Sequence, residues 1–226
     1  MEASKQTHWI PLADLMTGLM MIFMLITAIY ISKVDPTTTL VLDEYKLVHD
    51  DMKLALQNEF AKDFKQWNAT LLGDMTIRFN NPNMQFTSGS SDISPEFQSL
   101  LKDFFPRYLK ILRSEKFRES LKEIRIEGHT SKFWRGVSER DAYFFNMELS
   151  QQRTRSTLKY LMSLPDFQSD ETWLKEHITA NGLSSSRPLL KNPKSSYEDE
   201  INQRVEFRIV TNAADKFEEQ AFKEKN

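Results

Sequence analysis

From Trp9 to Ile31 the chain is apolar at almost every position, and Asp14 is the only charged residue in those 23 positions. As a helix rising 1.5 Å per residue the run reaches roughly 35 Å, enough for a hydrocarbon core of about 30 Å with some tilt. Pro11 suits a first helical turn, and Trp9 and Tyr30 stand where aromatic side chains meet membrane interfaces. A secretory leader is the competing reading, but the apolar region is too long for one. No A-x-A-like site follows before Lys33-Val34-Asp35-Pro36. The pattern predicts one span over 9–32, preceded by a polar tail over 1–8.

The period then becomes helical but half polar. Val41, Tyr45, Val48, Met52 and Ala55, followed by Leu56, Phe60, Phe64, Trp67 and Leu71, recur at three- and four-residue steps. A helical linker over 33–73 is expected. Its stripe either packs on the following domain, continues as a self-association seam, or lies on the membrane as a plug.

From residue 74 short mixed elements take over. Met75–Phe79 alternates as a strand, and Ser94-Pro95-Glu96 reads as an N-cap, N1 proline and acidic first turn for a helix over Pro95–Arg113. Ile124–Glu127 alternates apolar and charged, closed by Gly128-His129-Thr130-Ser131. A polar loop and a helix over Asn146–Leu164 follow, then a strand at Ile178–Gly182, a loop over Leu183–Glu200 and a strand at Val205–Val210. The expected fold is a domain over 74–212 of the α+β class, a mixed sheet with helices on one face, with a polar tail over 213–226.

Composition narrows this only a little. The 226 residues carry a net charge of −2, which gives no reason to expect nucleic-acid binding, and there is no cysteine, which removes disulfides, thiolate metal sites and a thiol nucleophile. Lys5, Lys33 and Lys46 leave the membrane orientation undecided. His8, His49, His129 and His177 share no metal-ligand spacing, and neither a Gly-rich phosphate loop nor a nucleophile elbow occurs. No cofactor and no enzyme chemistry are expected, and His129 reads as a structural turn residue.

Asp14 is the residue that demands an explanation. An acid near the centre of a membrane helix costs about 3 kcal/mol on insertion scales, so it faces a protein interior or a water path; near the headgroups it would merely be hydrated. Thr17, one turn on, can support the carboxyl or bond its own helix carbonyl, the commoner case.

Three ordered segments, IRIEGHTS at Ile124–Ser131, NMELSQQR at Asn146–Arg153 and NQRVEFRI at Asn202–Ile209, resemble the OmpA-like peptidoglycan-binding domain. The segment WIPLADLMTGLMMIF resembles the transmembrane helix of MotB-type stator B subunits. The stretch SERDAYFFNMELSQQRTRS is most similar to B subunits of the Zorya anti-phage defence system. These resemblances imply an inner-membrane protein with a cytoplasmic N-terminus and a periplasmic OmpA-like domain. They imply that Asp14 carries protons, and that a homodimer of the chain works inside a MotA-like multi-span A subunit. By motif position Asn146, Arg153 and Thr130 belong to the peptidoglycan pocket, with Arg204 a further basic contact. One departure stands out: the family's GHTD is GHTS, so Ser131 replaces an aspartate, and Asp141 is a possible substitute for the lost charge. Flagellar rotation and passive anchoring without ion flow remain alternatives; a TolR/ExbD-like energiser lacks the GHT and N-x-x-LS-x-x-R motifs.

Overall fold

The computed structural model describes residues 9–32, 36–87, 89–165, 167, 171–216 and 219. The expectations for the tail over 1–8, for Lys33 and for the end of the chain beyond residue 219 lie outside them. The chain forms two compact units, residues 1–46 and 47–226.

In the first unit, α1 (Trp9–Ser32) is a single helix of 24 residues. Within it Leu12–Ile31 is long and apolar enough to cross a membrane, and none of that stretch is buried by the other described residues. A helix apolar all round and uncovered by the other described residues needs lipid or a partner. Helix α2 (Pro36–Phe60) begins in this unit and runs on into the second.

In the second unit the stripe of α2 has a definite destination. Met52, Leu56 and Phe60 are fully buried, and the Phe60 ring lies 5.3 Å from Phe104. Of the three fates open to the stripe, residues 52–60 take the first and are part of the core. The helix does not continue to Leu71 as its periodicity predicts: α3 (Asp63–Gln66) is a single turn, Asn68 adopts a left-handed φ of 47°, and β1 (Ala69–Leu71) enters the sheet.

The strand expected at Met75–Phe79 is shortened to β2 (Ile77–Phe79), because Met75 has φ 62° and closes the turn between β1 and β2. Helix α4 (Pro82–Gln85) then leads to α5 (Pro95–Leu112), where the Ser94 hydroxyl accepts from Phe97 N at 3.0 Å as the sequence anticipates. Strand β3 (Leu121–His129) starts three residues before its alternation becomes visible. Helix α6 (Glu139–Ser163) starts seven residues earlier than predicted, capped by Ser138. α7 (Glu171–His177), β4 (Ile178–Gly182), α8 (Ser196–Asp199), a 3-10 turn over Glu200–Asn202 and β5 (Arg204–Thr211) complete the domain. Residues 213–216 form a further helical turn, and Lys122 holds Asp215 at 2.7 Å.

The sheet runs in the order β1-β2-β5-β3-β4, antiparallel throughout except for the parallel pair β3 and β4. This is the mixed sheet expected. Its apolar face presents Ile77, Phe79, Ile124, Ile126 and Phe207 to α2, α5 and α6, and Phe104 and Phe105 of α5 lie 5.2 and 6.2 Å from Phe207. The other face carries charge, with Glu127 opposite Glu206, Arg125 opposite Arg208 and His129 opposite Arg204. Strand alternation thus decides both faces at once.

Two glycines let α6 sit directly on the strand ends. A Cβ at Gly128 would lie 2.9 Å from the Ser150 carbonyl oxygen, and one at Gly182 would overlap the Gln151 backbone. That close approach brings the GHTS turn against α6.

Candidate functional site

The site is built where β3 ends, and hydrogen bonds through Ser184 fix it. Thr130 N donates to the Ser184 carbonyl at 3.0 Å, Ser184 N donates to the Ser150 hydroxyl at 3.0 Å, and the Ser184 hydroxyl donates to the Tyr143 carbonyl at 3.0 Å. The turn after β4 therefore clamps the turn after β3 to α6.

Thr130 is buried, and its hydroxyl donates to the Asn146 carbonyl at 3.3 Å. The Asn146 amide donates to the Phe133 carbonyl at 3.2 Å. The Ser131 hydroxyl accepts from Phe133 N at 2.9 Å. Thr130, Ser131 and Asn146 are thus brought together around one loop. Arg153 stands two turns further along α6, on the same buried face as Asn146.

Arg153 is held by a segment that motif reading does not flag. Its Nε donates to the Ser90 carbonyl at 3.0 Å, and its guanidinium lies 4.9 Å from the Phe86 ring centre. No carboxylate among the described residues is within ion-pairing distance of it. Burial pushes the group down to about 10, so it is cationic at neutral pH yet largely dehydrated. A desolvated cation without a counter-charge is costly, and a bidentate anion offsets that cost.

Ser131 is not left without a carboxylate. Its hydroxyl donates to Asp199 Oδ2 at 2.5 Å, Lys132 N donates to the same oxygen at 2.6 Å, and the Asn202 amide donates to Oδ1 at 2.5 Å. Asp199 is fully buried, so it acts as an internal acceptor that holds the turn. Asp141, the suggested substitute, is engaged elsewhere. It lies in the first turn of α6, with its N–H on the Ser138 hydroxyl at 3.1 Å and its carboxylate accepting from that hydroxyl at 2.7 Å. No local signal points to Asp199, which is 68 residues away along the chain.

Arg204 also differs from expectation. It is buried, and three of its donors bond inside the domain, to Glu206 at 2.7 Å, the Asn202 carbonyl at 3.0 Å and the Arg187 carbonyl at 3.1 Å. These bonds brace the floor under the turn. Beside it His129 lies 3.4 Å from Glu206, in a geometry that falls short of a hydrogen bond. Burial pushes the His129 imidazole below the ordinary histidine value. Burial alone raises the Glu206 carboxyl, but the Arg204 and Arg78 guanidiniums that bond it outweigh burial and hold the group well below the usual carboxylate range. Glu127, His129 and Glu206 bring possible ligand atoms within 4.8 Å of one another. Arg78, Arg187, Arg204 and Arg208 approach those two acids at 2.5 to 3.8 Å, so their charge is already balanced and a cation gains little there.

In the first unit Asp14 is exposed on α1. The Thr17 hydroxyl donates to the Ala13 and Asp14 carbonyls at 3.0 and 2.9 Å, so it caps its own helix backbone and leaves the Asp14 carboxyl free of it.

Over 213 residues the chain is 40% identical to the Zorya protein ZorB of Escherichia coli strain Crooks, covering 91% of this chain and 88% of that protein. The chain belongs to the ZorB family. A second ZorB, from E. coli O139:H28, is 26% identical over 218 residues, covering 92% of this chain and 82% of that protein. Among solved structures, the cell wall anchor of the type VI secretion system of Pseudomonas aeruginosa is similar at 23% identity and TM-score 0.48, covering 69% of this chain and 96% of that one. A MotB-like protein from Desulfovibrio vulgaris is similar at 22% identity and TM-score 0.48, covering 76% and 98%. No family model matches the chain.

Proposed function

We propose that this ZorB-family chain is the cell-wall-anchored B subunit of a proton-driven inner-membrane motor that acts in anti-phage defence. Asp14 carries the proton, and Arg153 holds a carboxylate of peptidoglycan beside the turn that Thr130 and Asn146 brace. The observation that carries the reading is the pairing of two uncompensated charges on one chain: a lone acid in an apolar helix, and a dehydrated guanidinium that meets no carboxylate among the described residues. The first needs a partner that encloses it, since one helix cannot surround an ion path. The second suits a carboxylate of the diaminopimelate in a stem peptide, which a guanidinium fork can take with two bonds.

In this reading a MotA-like multi-span subunit surrounds a dimer of the chain, with the N-terminus cytoplasmic and the sheet domain periplasmic. A low-dielectric surrounding favours the neutral form of a carboxyl group. Loading and release of the Asp14 proton then biases the partner between two rotational positions, each transfer down 100 mV releasing about 2.3 kcal/mol. The domain's hold on the wall keeps the chain still while the partner turns.

The test is phage challenge of cells carrying the chain with its neighbouring genes. Asp14→Asn is nearly isosteric and cannot ionise; it loses protection while the protein still reaches the membrane and copurifies with its partner. Arg153→Ala loses retention on purified sacculi. Full protection by Asp14→Asn overturns the ion path, and unchanged retention of Arg153→Ala overturns the pocket.

A further inference from the structure

The segment that leads into α5 does more than touch Arg153: it decides which edge of the guanidinium stays open. A guanidinium offers a carboxylate two forks, a side fork of Nε with one Nη and an end fork of Nη1 with Nη2. The Ser90 carbonyl accepts from Nε at 3.0 Å and so closes the side fork. The Phe86 ring, centred 4.9 Å from the guanidinium carbon, covers a face. Among the described residues Nη1 and Nη2 bond nothing, and neither is a fully buried atom, so the end fork is the free one.

Both contacts are themselves anchored. Gln85 is buried; its amide donates to the Phe79 carbonyl at 2.8 Å and its side-chain oxygen accepts from Val205 N at 2.8 Å. The residue before Phe86 is thereby pinned to β2 and β5. Phe86 forms an antiparallel bridge with Ile93, and its ring lies 6.0 Å from Phe97 of α5. Ser90 is tied to Asp92: its hydroxyl donates to the Asp92 carboxylate and accepts from Asp92 N, at 2.9 Å each. The cradle is therefore built on the sheet and on α5, while α6 carries the arginine. A long side chain loses rotamer freedom when a ligand fixes it, and one already held in its binding pose has lost that freedom beforehand.

We infer that Phe86 and the Ser90 carbonyl are positioning groups that hold Arg153 in one pose, so that it receives a single carboxylate end-on through Nη1 and Nη2. This inference rests on the peptidoglycan reading above and adds to it the orientation of the arginine and the residues that set it. The held fork tells a carboxylate from its amide, because an amide offers it one acceptor oxygen and brings a donor against the second nitrogen.

Calorimetry on the detergent-solubilised full chain tests it with two soluble peptides: the stem tripeptide ending in diaminopimelate, and the same tripeptide with its diaminopimelate carboxylates converted to carboxamides. The wild type is expected to prefer the acid roughly a hundredfold. Phe86→Leu keeps an apolar side chain but no ring face, and is expected to cut that preference roughly tenfold. Phe86→Tyr, which keeps the ring, retains it. Ser90→Ala, outside the core, unties the carbonyl from Asp92 and lowers the preference by a smaller factor. A merely structural role weakens both peptides together and leaves their ratio as it was. An unchanged ratio in Phe86→Leu, or in Ser90→Ala where the first variant does not fold, overturns the positioning role alone. A wild type that binds neither peptide, or both alike, removes the peptidoglycan reading and this inference together.

Discussion

Asp199 shows how a single buried acid can hold a turn that its own motif has left short of one. It accepts from the Ser131 hydroxyl, the Lys132 N–H and the Asn202 amide, with no exposed surface of its own. Asp199→Ala leaves these donors facing an apolar methyl, and a buried unmet donor costs about 1–3 kcal/mol. The expected loss is roughly 2–3 kcal/mol in a denaturant titration, with weaker retention on sacculi. Asp199→Asn, which keeps an acceptor, loses less; an equal loss for both variants contradicts the acceptor role. His129 and Glu206 give the same region a pH dependence of definite sign. Both are depressed in the folded chain, so as acid is added the unfolded chain takes up protons first, His129 below its ordinary 6.5 and Glu206 below its ordinary 4.5. Stability is therefore full at neutral pH and falls on acidification. The melting temperature is expected to drop between about pH 7 and 5, and His129→Gln to flatten that first part of the fall; a wild type whose melting temperature is level across that window contradicts it.

At the scale of elements, the second half of α2 belongs to the domain that follows it. Leu56 is fully buried there beside Phe60 and Met52, and Arg107 of α5 ties the same turn down by bonding Glu59 and Asp63 at 2.7 Å each. Leu56→Ala should cost about 2–5 kcal/mol in a chemical denaturation curve, while Leu47→Ala, at a position 66% exposed, should cost little. Comparable losses for the two would mean that the stripe is not core. The same elements explain what the sequence could reveal. Strands β3 and β5 were legible because one face is apolar and the other charged, and α5 because Ser94-Pro95-Glu96 announces its start. β1 was hidden because three residues make no period and the helical stripe runs straight through them. The true start of α6 was hidden because Tyr143, Phe144 and Phe145 face outward and break the amphipathic pattern. At the site, Asn146, Thr130 and Arg153 were legible as a motif. Their supports were not, since Ser90 reaches Arg153 across 63 residues and Asp199 reaches Ser131 across 68. The internal bonds of Arg204 were not legible either, because a basic residue on a strand looks the same whether its donors face solvent or, as here, a buried glutamate.

At the scale of the whole molecule, the chain joins two kinds of surface that each need something from outside. Helix α1 offers apolar side chains that none of the other described residues covers, together with one acid. The sheet domain offers a guanidinium that no described carboxylate neutralises. In the function proposed above, lipid and a multi-span partner would answer the first need and the cell wall the second, which would make the two halves one stationary element of a motor. The most direct test is proton flux: the chain purified with its membrane partner, reconstituted into liposomes holding a pH-sensitive dye and driven by a potassium diffusion potential. The account predicts that the wild-type complex acidifies the lumen and that the Asp14→Asn complex, assembled to the same extent, does not. Equal flux from the two complexes, or none from the wild type, would contradict it.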